Sequence, residues 1–119
     1  MTQAVTIYHN PRCSKSCQAL ALLWAAGAQP TVIDYLAQPP DADTIARLLK
    51  LLGTDARSLL RSKESEYQTQ GLANPNLGEQ QLIEAMVKTP RLIERPIVVV
   101  GSRAIVARPP ELVLSLLKA

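Results

Sequence analysis

Cys13 lies in the stretch His9-Asn10-Pro11-Arg12-Cys13-Ser14-Lys15-Ser16. This joins a short apolar run, Val5 to Tyr8, to an apolar-periodic stretch through Leu20, Leu23 and Trp24. The pattern predicts a turn from a first strand into a first helix, with the thiol at the helix start. Unpaired amides and the positive end of the helix dipole favour a thiolate over a thiol there. The same amides favour a bound oxyanion. A nucleophilic sulfur beside an anion-binding turn points to attack on a tetrahedral oxyanion, or chemistry routed through one. The other reading of Cys13, a small buried hydrophobe, is common for a free cysteine but suits a polar, proline-containing turn poorly.

Cys17 follows one helical turn later, where the Cα separation is close to what a disulfide permits. The C-x-x-x-C spacing differs from the C-x-x-C usual in dithiol oxidoreductases. Two readings stand for Cys17, a resolving thiol and an inert thiol facing the core. His9, the sole histidine, is placed to lower the thiol's pKa when protonated, or to hydrogen-bond a substrate oxygen, or equally to be fixed by backbone groups at the strand's end. Arg61 ends a predicted short helix, Arg95 precedes Pro96, and Arg108 precedes Pro109-Pro110. Each alone reads as a solvated charge, but together they offer guanidinium forks that bind tetrahedral oxyanions and help keep a thiol ionised. Arg12, Arg57, Arg91 and Arg103 read as solvated. Two cysteines and one histidine are too few for a zinc site of thiolates and imidazoles, so no metal is expected.

The elements that must position these residues follow from periodicity and breakers. Val5 to Tyr8 reads as a strand, Ser14 to about Ala26 as a helix closed by Gly27, and Thr31 to Tyr35 as a second strand, giving a βαβ unit with parallel strands. After Pro39-Pro40 the spacing turns helical. Asp41 caps a helix with Ile45, Leu48, Leu49 and Leu52 inward, ended by Gly53. A shorter helix runs from Thr54 or Asp55 to about Arg61, with Leu59 and Leu60 inward. Ser62 to Leu77 reads as loop, Glu79 to Lys88 as a helix carrying Leu82, Ile83 and Met86, stopped by Pro90. Residues 96–106 form a hairpin about Gly101-Ser102, where glycine first in a two-residue loop suits a type II′ turn. Pro109-Pro110-Glu111 opens a last helix with Leu112, Val113, Leu116 and Leu117 inward. The order βαβ, helical insertion at about 41–89, ββα predicts an α/β, thioredoxin-like fold with a central four-stranded mixed sheet, as a single domain over 1–119.

Bulk properties remove other classes. At 119 residues with 47% hydrophobic and 19% charged, the chain fits one globular domain rather than a disordered segment. Its net charge of +3 comes from interspersed charges, with no Phe and few aromatics, unlike the basic stripe of a nucleic-acid binder. No apolar stretch is long enough to span a bilayer, and no basic-then-hydrophobic leader is visible. The chain is therefore expected in the cytoplasm, where thiols stay reduced, with no nucleic-acid or membrane partner.

Four blocks then resemble a known family: Tyr8 to Ser16, Leu59-Leu60-Arg61, Arg91 to Val99 and Arg108-Pro109-Pro110-Glu111. In this order and with compatible spacing they resemble the glutaredoxin-linked arsenate reductases across essentially the whole chain. The resemblance implies a thioredoxin-like fold, Cys13 as the catalytic cysteine, and Arg61, Arg95 and Arg108 around the oxyanion. It also implies a cis Arg95-Pro96 bond and supporting roles for His9 and Ser16. The implied reaction reduces arsenate to arsenite: a Cys13-arsenate adduct forms, glutathione displaces at it, and glutaredoxin clears the mixed disulfide. No bound cofactor is implied; glutathione is co-substrate and glutaredoxin the protein partner. The chain departs from the family in ending soon after its last helix, where some members have a longer tail. Cys17 also stands where members often carry arginine, which opens an internal disulfide in place of, or alongside, the glutathione step. Two other readings share the fold: a redox-responsive regulator that binds RNA polymerase, which typically carries C-x-x-C in the turn, and a thiol oxidoreductase acting on a different oxyanion.

Overall fold

The computed structural model describes residues 4–117. They form two compact units, one made of the chain up to Gln38 together with that from Arg95 onward, the other of Pro39–Glu94.

The first unit holds β1 (Val5–His9), α1 (Ser14–Ala25), β2 (Thr31–Asp34), β3 (Ile97–Val100), β4 (Arg103–Val106) and a last helix, Leu112–Leu117. The strands make one sheet in the order β2-β1-β3-β4. β1 runs parallel to β2, with Ile7 opposite Val32, and antiparallel to β3, with Val5 opposite Val100 and Ile7 opposite Val98. Because side chains alternate along a strand, Val5, Ile7, Val98 and Val100 share one face. Ala19, Leu20 and Leu23 of α1 and Val113 and Leu116 of the last helix close a core against them. α1 ends at Gly27 with φ +86°, and the amides of Gly27 and Ala28 donate to the carbonyls of Trp24 and Leu23. That double bond is the Schellman closure that favours glycine. The β3–β4 loop has Gly101 at φ +60° while Ser102 stays out of the positive region, as a type II′ turn requires.

Two expectations for this unit fail. Trp24 is 59% exposed instead of facing the core, because the buried stripe of α1 is Ser16, Ala19, Leu20 and Leu23 and the next position lies a further 100° around the helix. The last helix starts at Leu112, not at the prolines, and Leu112 is exposed. Pro109, Pro110 and Glu111 instead supply the carbonyls that accept from the amides of Leu112, Val113 and Leu114. Arg103 also differs from a solvated charge, since its guanidinium donates to the Leu116 carbonyl at the end of that helix.

The second unit is helical: α2 (Ala42–Leu52), α3 (Ala56–Leu59), α4 (Ser65–Thr69), α5 (Glu79–Lys88) and a 3₁₀ turn, Pro90–Leu92. The last helix of the first unit is accordingly α6. Asp41 caps α2 by accepting from the Thr44 amide at 2.8 Å, and Gly53 ends it at φ +69°. Asp55 does the same for α3 through the Ser58 amide at 2.9 Å. α5 packs against both α2 and α3, and Glu79 at its start accepts from the Ala56 amide at 2.9 Å.

Within the stretch read as loop, α4 forms a single short helix. The chain after it is held by Arg57, whose guanidinium donates to the carbonyls of Leu72 at 2.9 Å and Asn74 at 2.8 Å. Arg57 is thus an internal anchor and not a solvated charge. Carbonyls of an irregular segment need donors from somewhere, and a guanidinium can serve two at once. Arg91 likewise bridges Glu64 and Glu66 at 3.5 and 3.4 Å, though its side chain stays largely exposed. Among the described residues no helix is long and apolar enough to cross a membrane.

The core assignment makes a direct prediction. Leu23→Ala should destabilise by about 2–5 kcal/mol, whereas the neighbouring Trp24→Ala should shift stability by no more than ~0.5 kcal/mol, both read from urea unfolding midpoints.

Candidate active site

The turn between β1 and α1 is built by Asn10. Its carbonyl accepts from the Cys13 amide at 3.0 Å and its side-chain oxygen from the Arg12 amide at 2.9 Å. Cys13 is the N-cap of α1, with extended φ −101° and ψ 120°, and is half-exposed. Its carbonyl begins the helix by accepting from the Cys17 amide at 3.0 Å. As a neutral thiol the side chain closes no cap hydrogen bond. Its charge is another matter. Burial pushes the thiol up, but the Ser16 amide, the positive charge of Arg95, the Lys15 amide and a hydrogen bond from the Arg95 side chain together outweigh it. The Cys13 pKa ends below that of an ordinary thiol. The amides belong to the first turn of the helix, where they have no intrahelical acceptor.

Behind the turn sits a buried polar pair. His9 Nδ1 lies 2.6 Å from the Ser16 hydroxyl, which also accepts from the Asn10 amide at 3.0 Å. Ser16 is fully buried and His9 nearly so. The hydroxyl has one proton to give and two lone pairs to accept with, so it holds the Asn10 amide and the His9 ring nitrogen at once, its role toward Nδ1 set by the imidazole tautomer. Burial lowers the His9 pKa, and Asp34, its parallel-strand partner in β2, offsets this only in part. At neutral pH the imidazole is uncharged, so it does not act on the thiol as a cation. Nor is it fixed by backbone groups. The Ser16 side chain holds it, and the pair ties the end of β1 to the first turn of α1.

Arg95 precedes Pro96 through a cis bond, as the resemblance implied, and Arg108 precedes Pro109 through another. Arg95 is half-buried, with its side chain directed to the Cys13 sulfur. Arg108 is exposed and donates from its guanidinium to the Arg95 carbonyl at 3.4 Å. The fold therefore joins Cys13 to Arg95, and the Arg95 backbone to Arg108. Arg61 belongs to the helical unit, where its guanidinium pairs with Glu64 at 3.0 Å and donates to the Arg91 carbonyl at 3.2 Å. Cys17 is exposed, and its thiol donates to the Pro11 carbonyl at 3.4 Å. It does not face the core.

Sequence reasoning missed Asp34 and Glu64. Asp34 enters through strand register, and Glu64 through an i,i+3 pairing that was hidden because its segment read as loop. Among the described residues no three His, Cys, Asp or Glu side chains gather as a metal-ion cage.

A cysteine at the N-cap of a helix after a first strand, with an arginine before a cis proline leading the next antiparallel strand, defines a thioredoxin-like protein with a thiol at the start of its first helix. The chain belongs to the ArsC family, whose model matches residues 8–116. It is 52% identical over 117 residues to YfgD of Escherichia coli K12, covering 98% of each chain. It is 44% identical over 108 residues to an arsenate reductase of Neisseria meningitidis, covering 90% of this chain and 92% of that one. A solved arsenate reductase from Vibrio cholerae superimposes with a TM-score of 0.95 at 44% identity, covering 98% of this chain and all of the other.

Because Arg95 lowers the Cys13 pKa through both its charge and its hydrogen bond, Arg95→Ala should raise it. Less thiolate then remains at any pH below the new value, so iodoacetamide should alkylate Cys13 severalfold more slowly at pH 7, with its pH–rate profile displaced upward. An unchanged profile removes Arg95 from the thiol's environment.

Proposed function

We propose that the protein is an arsenate reductase that draws electrons from glutathione and glutaredoxin, with Cys13 as nucleophile and Arg95, Arg108 and Arg61 as oxyanion ligands. The observation that supports this best is the Cys13 thiol, held below its ordinary pKa at a helix N-terminus with the Arg95 side chain at its sulfur. The arsenate reductases among its relatives favour arsenate as the anion. Arg108 enters through its hydrogen bond to the Arg95 backbone, and Arg61 through the Leu59-Leu60-Arg61 motif.

Each step balances with these groups. The Cys13 thiolate attacks arsenic(V), an S–As bond forms, and one arsenate oxygen leaves as water after protonation. Guanidiniums and first-turn amides offset the negative charge that gathers as the sulfur approaches, which is where preorganised donors lower a barrier. A glutathione thiolate then attacks the Cys13 sulfur. The S–S bond forms as the S–As bond breaks, and its electron pair stays on arsenic, reducing it to arsenite. Glutaredoxin removes glutathione from Cys13 by thiol exchange and restores the free thiol. His9 and Ser16 serve by fixing the turn, not by moving the proton.

A coupled assay of NADPH oxidation with arsenate, glutathione, glutaredoxin and glutathione reductase tests this. Arsenate-dependent turnover is expected, abolished in Cys13→Ser and reduced by roughly a hundredfold in Arg95→Ala, the scale of losing one charge-stabilising donor. Absence of an arsenate-dependent rate from a protein whose Cys13 still alkylates readily would leave the thiol chemistry standing and point to another oxyanion.

A further inference from the structure

We propose that Cys17 is an internal resolving thiol, which attacks the Cys13 sulfur of the glutathione mixed disulfide and releases glutathione. The proposal rests on the reaction above, because that reaction makes the mixed disulfide. Its own support is the placement of Cys17. A thiol serving only to fill a helix face is buried among hydrocarbon, whereas this one is exposed on the helix that Cys13 caps. Its sulfur does not lie outward along the helix. It folds back over the Asn10–Cys13 turn to reach the Pro11 carbonyl, two residues before the nucleophile.

The separation is close to what a disulfide needs. Residues i and i+4 of a helix have Cα atoms roughly 6 Å apart, inside the range of about 4.4–6.8 Å that disulfides span. Their Cβ atoms, about 5–6 Å apart in a regular helix, must approach to ~4 Å. Cys13 can supply that movement. As N-cap it lies outside the helical region at φ −101° and ψ 120°, so it turns without unwinding the residues that follow. Its first-turn position puts at stake mainly the 3.0 Å bond between the Cys17 amide and its own carbonyl.

The exchange balances. The Cys17 thiol gives up its proton, its sulfur bonds to that of Cys13, the Cys13–glutathione S–S bond breaks, and the departing glutathione thiolate takes up a proton. The product is a Cys13–Cys17 disulfide with the redox count unchanged. An external protein dithiol of the thioredoxin class then reduces it, becoming a disulfide itself. Cys17 would thereby let a dithiol protein, and not only a glutathione-dependent one, return Cys13 to its thiol.

The test bypasses arsenate. Reduced wild-type protein and Cys17→Ser are mixed with oxidised glutathione, quenched in acid at intervals, alkylated, and mapped by mass spectrometry without reductant. Wild type should pass through a glutathione adduct on Cys13 to an internal disulfide, and Cys17→Ser should stop at the adduct. The adduct should persist on the order of tenfold longer or more in the variant, as expected when an intramolecular nucleophile is lost. Thioredoxin-class dithiol should return oxidised wild type to two free thiols. An adduct as long-lived in wild type as in Cys17→Ser overturns the proposal. Because oxidised glutathione makes the mixed disulfide directly, that result is separate from the arsenate assay, whose failure would instead count against arsenate as substrate.

Discussion

The lowered pKa of one thiol depends on how the first unit is arranged. Cys13 is buried enough for desolvation to oppose ionisation, yet the amides of Ser16 and Lys15 and the Arg95 side chain reverse that balance. One contribution is local in origin and the other is not. The amides are available because a helix begins at Ser14 and leaves its first N–H groups without acceptors. The guanidinium arrives from a segment more than eighty positions along the chain, carried by the strand that pairs with β1. The result is a sulfur with hydrogen-bond donors and positive charge gathered beside it.

The sheet fixes where that guanidinium comes in. Tyr8 pairs with Ile97 and Val5 with Val100, so the start of β3 lies beside the end of β1, where the chain turns toward Cys13. Apolar residues on one face set this register, because a slip of one position would turn Val98 and Val100 out of the core. β4 then returns antiparallel, and the Ala107 amide closes on the Pro96 carbonyl at 2.9 Å. Arg108 follows at once and reaches the Arg95 backbone. Core packing and the placement of charge are in this way one event, as the valines that fill the interior also deliver the arginine.

The turn itself is held from behind. A buried serine hydroxyl accepts from the Asn10 amide and shares a hydrogen bond with the His9 ring nitrogen, so three polar groups satisfy one another where water is scarce. A histidine this enclosed stays neutral, and its contribution is to position the turn. The helical unit uses similar means elsewhere: Arg57 holds an irregular stretch through its carbonyls, and Glu79 completes the cap of α3. In both units, side chains supply backbone partners that short elements cannot supply for themselves.

Much of this was legible in the order of residues alone. The β1–α1 turn, the cap at Asp41, the stops at Gly27 and Gly53 and the glycine-first hairpin each depend on a few neighbouring positions, and local chemistry decides them. The place of Cys13 at a helix start was legible for the same reason, since a helix start is a local feature. Trp24 and Leu112 were misjudged, and Cys17 stood open between two readings, because periodicity shows which side of a helix is apolar but not how wide a stripe its neighbours cover. Arg57 read as solvated because its acceptors are carbonyls, which look alike at every position of a sequence. Tertiary structure alone decided the neutral state of His9, the meeting of Arg95 with the Cys13 sulfur and the exposure of Cys17. Burial, field and hydrogen-bond partner are properties of space, and distant segments share space only once the sheet has formed.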